Sequence, residues 1–188
     1  GLVPAQVNAV VFVGENTGGA LTFAGVRING SGGVSGIAGA SALAMSPAGD
    51  HLYVAGETSN AVAVFERDAA TGALSFVEVE LDGVGDVPAG AVDGPRDLAV
   101  SRDGRWLWVA ATLSGTVATF SRNASTGALS FVDVVDRDGA SGLAVEPDGG
   151  QLYVAAESSG AVSAWRVDLD GRLALLASYD NATALFSG

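Results

Sequence analysis

The sequence predicts an all-β protein: a β-propeller built of four-stranded antiparallel blades, with about three and a half blades in the chain. Three observations predict it. One unit is written three times: "SALAMSPAGDHLYVAGETSNAVAVFERDAATGALSFV" from Ser41, "RDLAVSRDGRWLWVAATLSGTVATFSRNASTGALSFV" from Arg96, and "SGLAVEPDGGQLYVAAESSGAVSAWRVDLDGRLALLAS" from Ser141. Each unit holds four short segments rich in Val, Leu, Tyr, Phe and Trp, bounded by Gly, Pro, Asp, Asn or Ser, which is the strand signature. No stretch sustains a helical period of apolar residues. Four antiparallel strands recurring every 45 to 55 residues match the length of a propeller blade.

The elements follow in order. "VNAVVFVGENTGGALTFAGVRING" (7–30) aligns with the third and fourth segments of the next unit, 59–83, with one gap. Residues 7–38 are therefore read as half a blade. Whole blades are expected at 39–82, 94–136 and 139–180, all within one partial propeller domain, 1–188. Pro-Ala-Gly-Asp, Arg-Asp-Gly and Pro-Asp-Gly separate the first and second segments, where a tight turn needs a residue that accepts positive φ. Trp106 and Trp108 lie two apart on one strand and so share a face, which reads as blade-to-blade packing. After the last fourth strand, "TALFSG" (183–188) stands where an inner strand is due. An open arc leaves two apolar blade faces bare, more than a monomer usually exposes. Three arrangements answer this: self-association that closes the ring, a small four-bladed ring, or a piece of a longer chain. The missing second strand of the opening blade argues against the four-bladed ring.

Composition narrows the partners. The nine basic residues are all Arg, and with 21 acidic residues the net charge is −12. Such a surface repels nucleic acid and anionic lipid. No apolar run approaches the ~18 residues that span a bilayer, so membrane insertion is not expected. Without Cys there are no disulfides and no thiolate metal sites. The Lys-free, Ala- and Gly-rich composition suggests a bacterial source, and the expected location is secreted, periplasmic or cell-surface.

The repeat "SPxGxxLYVA…VxVFxRDxxTGALSFV" resembles the YVTN-type repeats of the lactonase-like (6-phosphogluconolactonase-like) seven-bladed propeller family, and the resemblance covers nearly the whole chain. It implies that the first strand of each blade lines the channel and the fourth lies outermost. It implies a full ring of about twice this length. It also implies a ligand site on the channel face that carries the second-to-third and fourth-to-first strand loops. In the enzymes of the family one blade carries "GPRHLAF…LYVxNE", whose Arg, His and Glu line the catalytic face. The matching stretch here is "GPRDLAVSRDGRWLWVAAT": Arg96 matches, Asp97 stands for the His and Thr112 for the Glu.

Replacing that His removes a side chain that titrates near neutrality, the natural base for opening a lactone. Arg96 and Asp97 are the catalytic candidates that remain, with Arg96, Glu57 and Glu157 as ligand-binding candidates. His51, the one His, reads as a surface turn residue on the opposite face. The fourth-to-first loop after blade two is about ten residues longer than its counterpart after blade three, and it gathers Asp82, Asp86 and Asp93. Loops of this length concentrate function, and three carboxylates suit Ca2+. No cofactor is otherwise required. The sequence reading is a secreted or cell-envelope propeller module that binds a protein or a small ligand at its channel face, without catalysis of its own. The alternatives are a divergent lactonase or cyclase-type hydrolase, with Asp97 as base, and a structural subunit assembling through blade edges.

Overall fold

A computed structural model describes residues 9–15 and 21–180. It is all-β. Among the described residues no helix is long and apolar enough to cross a membrane. Strands β1 (Ala9–Glu15) and β2 (Leu21–Ile28) form a two-stranded sheet, the expected half-blade. Three four-stranded meanders follow. Blade two is β3 (Ala40–Met45), β4 (His51–Gly56), β5 (Ala61–Arg67) and β6 (Leu74–Leu81). Blade three is β7 (Pro95–Val100), β8 (Trp106–Ala111), β9 (Thr116–Arg122) and β10 (Leu129–Asp136). Blade four is β11 (Ala140–Val145), β12 (Gln151–Ala156), β13 (Ala161–Val167) and β14 (Leu173–Tyr179). Each strand pairs antiparallel with the next in sequence. The first strands of successive blades are neighbours, β3 beside β7 and β7 beside β11. The segment 183–188, read as a further inner strand, lies outside the described residues.

Turn chemistry sets the meander. The turns between first and second strands carry Gly49, Gly104 and Gly149 at φ 76°, 72° and 80°, a region that strains any side chain. In blades two and three a buried serine closes the same turn: Ser46 Oγ accepts the His51 N–H at 3.0 Å, and Ser101 Oγ accepts the Trp106 N–H at 2.9 Å.

The core lies between blades. Successive side chains of a strand point to opposite faces, so each blade has two apolar faces to cover. Tyr53, Ala55, Val62 and Val64 of blade two meet Leu98, Leu107, Val109, Ala118 and Phe120 of blade three. Trp108, Ala110 and Val117, on the other side of blade three, meet Leu152, Val154 and Trp165 of blade four. Trp106 packs against the same cluster, as the Trp pair predicts. Trp108 is fully buried, and its Nε1 has no hydrogen-bond partner among the described residues, so it contributes by packing alone. The third and fourth strands are pinned by matching aromatic pairs, Phe65–Phe76 at 5.7 Å and Phe120–Phe131 at 5.8 Å, both edge-to-face. Faces that no neighbouring strand covers stay exposed: Leu43 and Met45 on β3, Tyr153 on β12, Val162 on β13 and Tyr179 on β14.

Two features differ from the sequence reading. His51 is buried, not a surface turn residue, because Arg122 of the next blade folds over it: Arg122 Nη2 lies 2.9 Å from His51 Nδ1. The same guanidinium donates to the Gly104 carbonyl at 3.1 Å and to the Tyr53 hydroxyl, which in turn donates to the Gly127 carbonyl at 2.9 Å. His51 and Arg122 thus latch blades two and three on the face opposite the candidate site. The long loop after β6 is also part of the core. Val87, Ala91 and Val92 are buried in the cluster between blades two and three. Asp82 holds the loop, its two oxygens accepting the Gly90 and Val92 N–H groups at 2.9 Å each.

Two outcomes are expected. Trp108→Ala loses about 3–5 kcal/mol of stability, by lost burial plus the cavity left behind, read as a lower urea midpoint. A loss under about 1 kcal/mol would mean that blades three and four do not pack as described. Burial pushes the Tyr53 phenol up to about 12, partly offset by Arg122. Because the raised value belongs to the folded state, this group's contribution to stability is intact below the ordinary phenol value of about 10. It is lost as pH rises through about 12. An alkaline titration followed by tyrosinate absorbance shows a component near that value, and Tyr53→Phe removes it.

Candidate functional site

The site is built at the start of the inner strands, where the ladder breaks. β3, β7 and β11 each shift register beside their second strands, between Ala40 and Ala42, Pro95 and Asp97, and Ala140 and Gly142. The residue skipped is Ser41 in blade two, Arg96 in blade three and Ser141 in blade four. A bulged residue is unpaired and its side chain is re-aimed. Arg96 uses this to stand clear of the sheet, with its side chain 47% exposed. Its guanidinium faces Glu57 of the β4–β5 turn in blade two, with Nη1 3.5 Å from Oε1. Both partners are half-exposed, so the pair contributes under about 1 kcal/mol. A ligand can separate or bridge them at little cost.

Asp97 differs from the base expected of it. Its two oxygens each accept a backbone N–H, Oδ1 from Leu98 at 2.8 Å and Oδ2 from Leu143 at 2.7 Å. It stitches inner strand β7 to inner strand β11. Thr112 works similarly, its hydroxyl donating to the Ala140 carbonyl at 2.8 Å. The two residues that stand in place of the family pattern's His and Glu thus both serve the junction between blades three and four. The carboxylate beside Arg96 is Glu57, brought in from the preceding blade. Glu157 occupies the corresponding corner of blade four and is exposed, and the ion pair of Arg96 does not include it.

The acidic loop is likewise corrected. Asp82 is turned into its loop backbone and Asp86 is exposed. Asp86 contributes, after burial and Glu78, to raising the Glu80 carboxyl above the ordinary range. Among the described residues no three acidic or histidine side chains come together as a group able to hold a metal ion, so the gathering of Asp82, Asp86 and Asp93 is not formed.

Two residues at the site escape the sequence reading. Ser41 Oγ donates to the Pro95 carbonyl at 2.8 Å. Asn60 Oδ1 accepts the Gly94 N–H at 3.1 Å. Both grip the chain next to Arg96. The available signal lies in the aligned units, which read "SNAV", "SGTV" and "SGAV": Asn60 stands where the other two have Gly115 and Gly160.

Comparison with known proteins agrees with this architecture. The structure resembles a protein from Lactobacillus plantarum at 24% identity and TM-score 0.77, over 91% of this chain and 49% of that one. A putative 6-phosphogluconolactonase from Bacteroides uniformis matches at 19% identity and TM-score 0.76, over 93% of this chain and 49% of that one. The periplasmic gluconolactonase PpgL of Pseudomonas aeruginosa matches at 25% identity and TM-score 0.63, over 73% of this chain and 39% of that one. The chain thus spans about half the length, or less, of the solved structures it matches. No curated protein matches it. The family model described as "Lactonase, 7-bladed beta-propeller" matches residues 6–137, more than half of the chain. On that match, over the repeated blades, this chain is a member of the lactonase family of seven-bladed β-propellers.

Proposed function

We propose that the protein acts on a sugar lactone at its channel face, with Arg96 and Glu57 as the reacting pair. The observation that carries the reading is Arg96 itself, a half-exposed cation on a bulge 3.5 Å from a half-exposed carboxylate. Lactone hydrolysis needs two services. Charge develops on the carbonyl oxygen as water adds, and a guanidinium there stabilises it. The attacking water must give up a proton, and a carboxylate within reach accepts it. The ring C–O bond then breaks, the proton returns to the departing alkoxide, and a hydroxy acid leaves. Family membership and the gluconolactonase among the similar structures support this substrate class. The latter, described as periplasmic, also supports a place in the cell envelope.

A second reading, ligand binding without hydrolysis, rests on Asp97 and Thr112. Both are spent on bonds between blades, so the base of the site is left to an ordinary surface carboxylate.

The experiment is hydrolysis of glucono-δ-lactone and of its 6-phosphate, followed as acid release above the spontaneous rate. Removing one oxyanion donor with Arg96→Ala is expected to lower kcat about 10²–10³-fold. Removing the base with Glu57→Gln lowers it about 10²–10⁴-fold. Asp97→Asn, which keeps one acceptor oxygen, is expected to leave kcat within about threefold, because both Asp97 oxygens are engaged by backbone N–H groups. Arg96-dependent binding of the hydroxy acid without any rate above background would establish the second reading instead.

A further inference from the structure

We propose that Asn60 is a positioning residue for Arg96, clamping the reactive bulge of blade three from the turn that also carries Glu57. The inference rests on the reading of Arg96 as the ligand-holding cation. It begins from a backbone outlier. Among the described residues Asn60 is the one non-glycine with positive φ, at 49°. The equivalent turns of blades three and four place Gly115 and Gly160 there, at 67° and 59°. Glycine therefore suffices for the turn, and Asn accepts the left-handed region at a cost. Something beyond the turn must use the side chain.

The structure shows what uses it. Asn60 Oδ1 accepts the Gly94 N–H at 3.1 Å, two residues before Arg96. Ser41 takes the peptide on the far side of Pro95, donating to the Pro95 carbonyl at 2.8 Å. Gly94, itself at φ 67°, and the bulge that follows make this the least regular part of the inner strand. Its two flanking peptide groups are held by side chains of blade two. Glu57 sits three residues before Asn60 in the same turn, and the Glu57 carbonyl accepts the Asn60 N–H at 3.4 Å. One turn therefore carries both the carboxylate that faces Arg96 and the amide that anchors the strand under Arg96. Fixing Gly94 to Asn60 fixes the distance between the pair. Blades three and four, with glycine at this corner, cannot make the same clamp.

The test uses Asn60→Gly, which keeps the turn conformation found in the other blades, and Asn60→Asp, which keeps the acceptor oxygen. Asn123→Gly is the control. Asn123 Oδ1 accepts the Ser125 and Thr126 N–H groups in the β9–β10 turn, on the opposite face, so its loss removes side-chain hydrogen bonds away from Arg96. The probe is 6-phosphogluconate, titrated calorimetrically. Asn60→Gly is expected to weaken binding about tenfold, the equivalent of one lost hydrogen bond. Asn60→Asp restores most of it, and Asn123→Gly leaves it within twofold. A second readout needs no ligand. NMR of the Arg96 Nε–H group shows a lower order parameter in Asn60→Gly, and the Gly94 amide exchanges faster. Unchanged Arg96 order in Asn60→Gly, or an equal loss of affinity in Asn123→Gly, overturns the proposal. If the unaltered protein and Arg96→Ala bind the probe alike, the functional reading of Arg96 fails, while the NMR result still decides whether Asn60 positions it.

Discussion

A four-stranded blade cannot bury its own apolar faces. Every strand sends alternate side chains to the two sides of the sheet, and only a neighbouring blade covers a side. The second strands show how completely burial is set by that neighbour. β4 reads "HLYVAG" and is buried at every residue. β12 reads "QLYVAA", nearly the same string, yet buried and more open residues alternate along it. Tyr53 is fully buried against blade three, whereas Tyr153, its counterpart in blade four, is 39% exposed. The sequence is shared, and the difference is the presence or absence of a blade on one side.

The same dependence explains how polar side chains are spent. Inner strands of adjacent blades lie side by side without a continuous ladder between them, so individual side chains make the junction. Asp97 and Thr112 join blade three to blade four, while Ser41 and Asn60 join blade two to blade three. On the far face the Arg122–His51–Tyr53 latch closes the same wedge. The long loop after β6 fills it from the channel side with Val87, Ala91 and Val92. The wedge between blades two and three is thus fastened at both ends, and the Arg96–Glu57 pair straddles it.

Much of this architecture was legible in the sequence. Strand identity follows from local composition and turn residues, and repetition makes the blade number, about three and a half, readable. The packing role of Trp106 and Trp108 follows from strand periodicity. What escaped depends on contacts between blades. Asp97 read as a catalytic candidate because its partner, the Leu143 N–H, lies 46 residues away and leaves no local signal. His51 looked like a surface residue because its cover, Arg122, is 71 residues away. The three aspartates of the long loop looked like a cluster because they are close in sequence, but Asp82 turns inward to its own backbone. Asn60 was visible in the alignment as an exception to glycine, and only its bond to Gly94 gives the exception a meaning.

The bulge at the head of each inner strand has a consequence for how such a protein diversifies. Ser41, Arg96 and Ser141 occupy equivalent positions that the ladder skips, so a side chain there changes without breaking a strand pairing. Each duplication of the unit therefore brings along one socket at the head of the inner strand that the ladder does not use. Two of the three sockets in this chain hold a small hydroxyl and one holds a guanidinium. A lineage that copies blades can keep its scaffold constant and rewrite its chemistry one socket at a time.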